Sequence, residues 1–266
     1  MAQDSTDVKD NIGALDDYVL LGRSGLRISP LCLGAMSEQF LKELIADKRS
    51  QVVLATKYSS NPTSMAQNVK LNPNAANPTS MAQNVKFNPN AGGNHRKSLT
   101  ENVNESLKRL GTGYIDLLYV HIWDFRTPIE EVMRSLDDVV RSGKVLYVAI
   151  SDAPAWVVSS ANMLADLRGW SRFIGLQTRY NLLDRSLEFD LQPACAEYDV
   201  GIIPWGCVAE GFLTGKHTRE SIAEKASDTG SYRNSVLNTT AKKEQNWKIL
   251  DEVIAIATEI KKSPVQ

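Results

Sequence analysis

The chain has 266 residues, of which 42% are hydrophobic and 23% are charged, and its formal net charge is −1. This composition is typical of a globular protein with a sizeable core, in one large domain or two ordinary ones, and the charge gives no reason to expect a nucleic acid or an anionic membrane as partner. No apolar run approaches the roughly 18 residues that a membrane helix needs, and the polar N-terminus has no secretory leader, so we expect a cytosolic protein.

The N-terminal third predicts a hairpin followed by a strand, a helix and a second strand. Residues 1–17 are polar and are expected to be flexible. The apolar segments 18–22 and 26–30 flank a Ser-Gly turn, which is the pattern of a β-hairpin. The next elements are a short strand, a helix capped by Ser37 and a buried strand that carries Lys57 at its polar end: 31–34, 37–46 and 52–58.

A duplication interrupts this pattern. Residues 61–75 recur at 77–91 with one change, Phe87 in place of Leu71. Two copies are too few for a solenoid, which needs at least three repeats that bury one another. Because the segment is rich in Asn and Pro, we favour an irregular surface loop that arose by local duplication over a binding repeat.

Helices and strands then alternate regularly. Ser98 is predicted to cap a helix that ends at Gly111. Thr127 and Glu130 have the spacing of a capping box, with Pro128 at the first helical position. Buried strands are predicted at 115–123, 145–150, 173–178 and 201–205. The remaining helices are predicted from Pro154, at 185–198 and, after a long polar loop, at about 242–262.

This alternation indicates βα units around a parallel sheet. With right-handed crossovers throughout, such units close into a (β/α)8 barrel, whose chemistry lies at the carboxyl ends of the strands. The polar residues that follow the predicted strands would gather on that face: Lys57, His121, Ser151, Gln177 and Trp205.

Two common kinds of site are not indicated by the sequence. No Gly-x-Gly-x-x-Gly segment opens a helix, which argues against a Rossmann dinucleotide site. The three cysteines, Cys32, Cys195 and Cys207, lie far apart without metal-binding spacing. We predict that they are buried thiols in a reducing compartment.

His121 is the most informative single residue. It lies between the apolar run 117–120 and Ile122, at the point where the predicted strand meets a polar turn. A histidine there is a candidate acid, base or hydrogen-bond donor. A structural histidine satisfied by backbone groups fits the same pattern, so both interpretations stay open from the residues alone.

Several separated segments resemble the aldo-keto reductases, in the order of that family: 21–29, 55–57, 115–121, 143–145, Gln177 with Tyr180-Asn181, and Pro204-Trp205. The resemblance runs from about residue 18 to 260 and is interrupted by the duplicated loop. Within the superfamily, the segments 93–98, 121–124 and 151–156 resemble fungal aryl-alcohol dehydrogenases and the norsolorinic acid reductases of the aflatoxin pathway.

The resemblance implies a barrel that binds NADPH without a Rossmann fold and passes a hydride to the carbonyl group of a small molecule. In that family a tyrosine donates the proton, an aspartate and a lysine tune the tyrosine, and a histidine orients the carbonyl. Lys57 matches the lysine and His121 matches the histidine.

The resemblance also implies cofactor contacts. Ser151 and Asp152 stand where a Ser-Asn pair usually holds the nicotinamide carboxamide, and Asp152 cannot donate the hydrogen bonds of an asparagine amide. Gln177 matches a second carboxamide contact, and Trp205 matches an aromatic ring that packs on the nicotinamide. Four residues match a loop that folds over the pyrophosphate of the cofactor: Gly206, Cys207, Val208 and Gly211. Lys216 matches a residue that pairs with a phosphate.

The sequence departs from the family pattern in two places. The family carries its aspartate and tyrosine on and after the second strand, whereas the segment between Gly34 and Lys57 has one aspartate, Asp47, and no tyrosine. The chain also ends before an eighth strand and helix. We therefore expect one domain, 18–266, with an internal deletion, a C-terminal truncation and about six of eight βα units. Its unpaired sheet edges invite aggregation or pairing with a like or unlike chain.

Three hypotheses for function follow. The first is an NADPH-dependent reductase of an aromatic or polyketide ketone or aldehyde in mycotoxin biosynthesis, with impaired activity because the proton donor is missing. The second is a catalytically dead homologue that binds or regulates an intact relative through its open edges. The third is a truncated gene product that does not fold stably.

Overall fold

The computed structural model describes residues 18–34, 38–59, 90, 92–224 and 232–266. The predicted flexible segment 1–17, the predicted cap Ser37 and the duplicated loop, apart from residue 90, lie outside these residues. Among the helices that are described, none is both long and apolar enough to cross a lipid bilayer.

The described elements are seven strands and eight α-helices, joined by turns and three short 3-10 helices. The strands are β1 (Val19–Leu20), β2 (Arg27–Ile28), β3 (Ala55–Tyr58), β4 (Ile115–Val120), β5 (Val145–Ser151), β6 (Phe173–Arg179) and β7 (Gly201–Trp205). The α-helices are α1 (Glu38–Ile45), α2 (Arg96–Leu110), α3 (Ile129–Arg141), α4 (Ala155–Arg168), α5 (Leu191–Glu197), α6 (Arg219–Glu224), α7 (Tyr232–Ala241) and α8 (Glu244–Glu259). The 3-10 helices are Arg49–Gln51, Ser186–Glu188 and Ala209–Thr214.

Strands β3 to β7 form a five-stranded parallel sheet in sequence order, and β1 pairs with β2 as a separate antiparallel hairpin. This arrangement confirms the predicted α/β class and is that of a partial (β/α)8 barrel. Parallel neighbours in sequence order mean that each strand returns beside the last one by a helical crossover. All carboxyl ends of the sheet strands therefore point to one edge.

The two faces of the sheet have separate apolar cores. On the outer face, side chains such as Leu118, Val120 and Ile150 pack against the helices. On the inner face, Tyr119 packs in a smaller cluster that the hairpin covers with Leu21. Successive side chains of a strand alternate between faces, so the apolar residues 117–120 of β4 supply both cores.

A third apolar cluster lies near the C-terminus. Phe212 packs against Trp247 with the ring centroids 4.8 Å apart, and Leu237 and Leu250 complete the group. Here the sequence predicted a long polar loop before a single helix, and that prediction was wrong, because α6 and α7 occupy this stretch. The apolar residues of α6 and α7 are too few and too irregularly spaced to predict a helix from the sequence. Only their packing in this cluster identifies them as core residues.

Three further predictions about local structure were wrong. Residues 31–34 form no strand, and Leu31 and Leu33 are exposed, so the described residues carry five parallel strands and not six. The segment 185–198 is a 3-10 helix followed by α5 and not one continuous helix. Only Cys195 is buried, whereas Cys32 and Cys207 are exposed.

Two predicted helix caps also differ from the structure. Helix α2 begins one turn earlier than predicted, because the His95 imidazole, and not Ser98, accepts the capping hydrogen bond, from the backbone N–H of Ser98 at 3.2 Å. Thr127 forms no capping box with Glu130, because its hydroxyl donates to Asp124 at 2.7 Å. The residue types indicated that helices begin in these two regions, but side chains three residues earlier, His95 and Asp124, decided the local hydrogen bonds.

Candidate active site

The carboxyl edge of the sheet brings the predicted polar residues to one face. Lys57 lies on β3 beside Tyr119 of β4, and its Nζ sits 5.4 Å from the Tyr119 ring centroid. His121 is the first residue after β4, and Asp152 is the first after β5. Trp205 is the last residue of β7.

Asp152 is close enough to Lys57 and His121 to affect the pKa of both, and Lys57 also affects the pKa of His121. Partial burial lowers the pKa of Lys57, and the negative charge of Asp152 opposes that shift. Burial also lowers the pKa of His121, helped by the positive charge of Lys57 and opposed by Asp152. The imidazole is therefore uncharged at neutral pH, and the Lys57 ammonium is a stronger acid than that of a free lysine.

Asp152 is held by two neutral donors. The Trp205 indole Nε1 donates to its Oδ1 at 3.1 Å, and the Ser151 hydroxyl donates to its Oδ2 at 3.0 Å. Its backbone N–H donates to the Gln177 carbonyl at 3.0 Å, and its φ of 48° lies in the left-handed region. Asp and Asn tolerate this conformation better than other side chains. The backbone therefore turns sharply here, and the carboxylate stays at the surface.

Ser151 and Gln177 are register neighbours on β5 and β6. Ser151 is fully buried and its hydroxyl is used by Asp152, whereas Gln177 is half-buried. Within the described part of the chain, the Gln177 side-chain amide makes no hydrogen bond. Gln177 can donate to a carbonyl oxygen and Asp152 can accept from an amide N–H, so this pair of groups fits a carboxamide.

The loop after β7 has an unusual succession of left-handed backbone conformations. Gly206 and Gly211 have φ values of 68° and 102°, and Glu210 has a φ of 54°. Lys216 runs beside Gly211, with its Cε 3.5 Å from where a Cβ would sit on that glycine. Cys207 and Val208 lie between the glycines, and Cys207 is exposed. The backbone N–H groups of Ala209, Gly211 and Leu213 donate within the loop, to the carbonyls of Gly206 and Val208. The positive charge of Lys216 is therefore the feature of this loop that suits an anion.

Arg179 is a site-edge residue that the sequence did not reveal. Its guanidinium lies 5.6 Å from the Trp205 ring centroid and 3.3 Å from the Glu210 carboxylate. It thus joins the end of β6 to the ring at the end of β7 and to the loop that follows. A charged residue at the end of a strand is common in any sequence. Only the contacts of Arg179 with Trp205 and Glu210 identify it as a residue of the site.

Tyr58 on β3 and Tyr119 on β4 are poorly suited to act as proton donors at this site. Tyr58 faces the outer core, as the alternation of strand side chains predicts, and its hydroxyl donates to the Asn94 carbonyl at 3.2 Å. Burial raises the pKa of Tyr58. Tyr119 faces the inner side, but burial, followed by the nearby Cys32 thiol, raises its pKa. Both phenols are therefore weaker acids than free tyrosine.

Asn94 holds the loops beside His121 in place, and sequence reasoning missed it too. This fully buried side chain donates to the Ile122 carbonyl at 2.9 Å and to the Ser59 hydroxyl at 2.8 Å. Two further hydrogen bonds of 2.8 Å join Asn94 to Asp124. The backbone N–H of Asn94 donates to the Asp124 carboxylate, and the backbone N–H of Asp124 donates to the Asn94 side-chain oxygen. Burial raises the pKa of Asp124, but donors from Thr127, Asn94 and Arg126 outweigh it and lower the pKa overall.

A cavity of about 310 Å³ lies beside Arg179. It is lined by Arg179, Leu183, Asp184, Thr239, Thr240, Lys243 and Asn246. None of Lys57, His121 and Asp152 lines this cavity. The candidate site is therefore the open strand-end face and not this cavity.

Comparison with known proteins gives one consistent result. The profile of the Aldo/keto reductase family matches residues 34–266. A norsolorinic acid reductase of Aspergillus flavus is 36% identical over 208 residues, which cover 77% of this chain and 49% of that protein. An aryl-alcohol dehydrogenase of Pestalotiopsis microspora is 33% identical over 262 residues, which cover 94% of this chain and 62% of that protein.

A putative aryl-alcohol dehydrogenase of Saccharomyces cerevisiae is 34% identical over 208 residues, covering 77% of this chain and 53% of that protein. The chain thus spans about half the length of the curated relatives that it matches. These relatives belong to the two groups that the sequence motifs indicated, which confirms the predicted resemblance.

Proposed function

The chain belongs to the aldo/keto reductase family, and from that premise we propose that residues 18–266 form one reductase domain that reduces a small carbonyl compound at the strand-end face. We propose NADPH as the hydride donor and an aromatic or polyketide ketone or aldehyde as the substrate, because the relatives are named for norsolorinic acid and for aryl alcohols. By the same resemblance, we propose that the protein acts in the cytosol, in mycotoxin biosynthesis.

The observation that carries this proposal is the convergence of Lys57, His121 and Asp152 beside Trp205. These residues come from separate strands and meet at the edge where enzymes of this architecture do their chemistry. Lys57 is half-buried and faces the inner side, where a lysine ammonium has little structural use.

The residues divide the work as follows. NADPH, when bound, supplies the hydride. The uncharged His121 imidazole donates an N–H to the carbonyl oxygen, and the Lys57 ammonium stabilises the negative charge that develops on that oxygen. Gln177 and Asp152 would hold the carboxamide of the nicotinamide, and the Trp205 ring would bound that position. The loop from Gly206 through Cys207, Val208 and Gly211 to Lys216 would cradle the phosphates.

We propose that the rate of this reaction is low. The stretch between Gly34 and Lys57 contains no tyrosine, so water, Lys57 or His121 must supply the proton. General acid catalysis contributes about 10² to 10⁴-fold, so turnover should fall by about that factor relative to an enzyme with the tyrosine.

The test is a titration of the purified full chain with NADPH, followed by Trp fluorescence, and a turnover assay with an aromatic ketone. We expect NADPH binding together with slow turnover. Lys57→Met should abolish turnover, and Lys144→Met, which removes an exposed lysine that donates to Asn104, should leave it unchanged. Absence of NADPH binding would refute the proposal, and rapid turnover would refute the impaired rate.

A second candidate is a non-catalytic subunit. Strands β3 and β7 each pair on one side only within the described residues, and Phe40 and Leu44 of α1 are exposed nearby on the β3 side. Such edges can pair with another chain. Size-exclusion chromatography alone and with an intact aldo-keto reductase would detect a complex, and a monomer in both runs would exclude this role.

A further inference from the structure

Asp152 introduces a negative charge at the proposed carboxamide position. Its oxygens accept from Trp205 at 3.1 Å and from Ser151 at 3.0 Å, and both donors are neutral. Among the described residues it forms no salt bridge with a lysine or arginine. The carboxylate is thus fixed in position by neutral donors, and no salt bridge among the described residues offsets its negative charge.

The backbone conformation of Asp152 suits asparagine equally well, so aspartate differs from asparagine at this position in charge and not in shape. With a φ of 48° it occupies a region that asparagine enters as readily as aspartate. An asparagine oxygen could accept from Trp205 or Ser151 in the same way. The two side chains have the same size, so replacing one by the other changes one unit of charge at a fixed point.

The nicotinamide ring responds to such a charge only in one of its two redox states. The oxidised ring carries a unit positive charge, and the reduced ring is neutral. A fixed carboxylate therefore attracts the oxidised form and has little effect on the reduced form. The phosphates and adenosine are the same in both forms, so their contributions cancel when the two affinities are compared.

We propose that Asp152 makes the site favour the oxidised cofactor over the reduced one, compared with a site that has asparagine at this position. The inference rests on the proposed cofactor site. Its consequence is that the chain retains oxidised cofactor after carbonyl reduction and is better suited to oxidise an alcohol when both cofactor forms are present. Lys57, also nearby, adds one positive charge to both versions of the site and so does not cancel the difference.

The experiment measures the dissociation constants of NADP⁺ and NADPH separately, by calorimetry on the full chain. Asp152→Asn should lower the ratio Kd(NADPH)/Kd(NADP⁺) by about tenfold, the effect of one unit charge in a partly exposed site. Asp251→Asn, which removes an exposed charge on α8, should leave the ratio unchanged. Circular dichroism melts establish that both variants are folded.

A second measurement needs no variant. In the wild-type protein the ratio should fall as salt is added, because ions screen the attraction that acts on only one form. An unchanged ratio in Asp152→Asn, with both forms still bound, would overturn the inference and leave the cofactor site standing. Failure of both forms to bind the wild-type chain would overturn the cofactor site and the inference together.

Discussion

The two ends of the parallel sheet use charge in opposite ways. At the amino end of β4, Arg49 pairs with Asp116 at 2.7 Å, and its guanidinium lies 3.9 Å from the Tyr114 ring centroid. Asp116 also accepts from the Leu54 N–H at 2.9 Å. At the carboxyl end, the charge of Asp152 raises the pKa of Lys57 against the effect of burial, but the two residues form no salt bridge.

This difference teaches which end stabilises the fold and which end is open to a ligand. At the amino end, Arg49 and Asp116 neutralise each other at short range and tie a loop to a strand. At the carboxyl end, Arg179 is paired with Glu210, but Lys57 and Asp152 form no salt bridge, so the charges of these two remain available to a bound molecule. In barrels of this type the amino end generally serves stability and the carboxyl end serves catalysis.

The largest effect should come from breaking the amino-end pair. Asp116→Ala leaves the largely buried Arg49 guanidinium without its carboxylate, and the free energy of unfolding should fall by about 3 kcal/mol. Urea denaturation measures this loss. Asp138→Ala, which removes a more exposed partner of Arg134, should cost less than about 1 kcal/mol. Equal losses would contradict the assigned role of Asp116.

The next effect concerns the loops beneath the site. Asn94→Ala leaves the Asp124 N–H and the Ile122 carbonyl without their partner, so we expect a loss of about 2 kcal/mol. Asn104→Ala, which removes one exposed contact with Lys144, is the matched control and should have little effect. If both variants unfold at the same urea concentration, the Asn94 contacts are not stabilising.

A smaller effect, of opposite sign, is expected at the carboxyl end. Burial disfavours the charged form of Lys57, so Lys57→Met should raise the free energy of unfolding at pH 7, by less than about 1 kcal/mol. The same denaturation assay measures it. A clear loss of stability would mean that Lys57 belongs to the structural group of charges, as Arg49 does, and would remove the contrast between the two ends.

The smallest expected effect is a change in how steeply the stability of the folded chain depends on pH. The pKa of His121 is lower in the folded chain than its ordinary value of 6.5, so below about pH 6.5 the unfolded chain binds more protons. Stability therefore rises with pH from the folded pKa up to that value. His121→Asn should flatten the plot of Tm against pH in this window. An unchanged slope would show that His121 is not desolvated.

The sequence alone determined the alternation of strands and helices and the face on which Lys57 and His121 lie, because periodicity and chain order are local properties. The alternation of side chains along a strand likewise places Tyr58 on the opposite face from Lys57, where it packs in the outer core. Tertiary structure decided the rest: α6 and α7, the bridge from Arg179 to Glu210, the contacts of Asn94, and the hold of Trp205 on Asp152. Each of these depends on segments that are distant in the chain or on apolar patterns too weak to read, and no local pattern specifies which distant side chain completes a hydrogen bond.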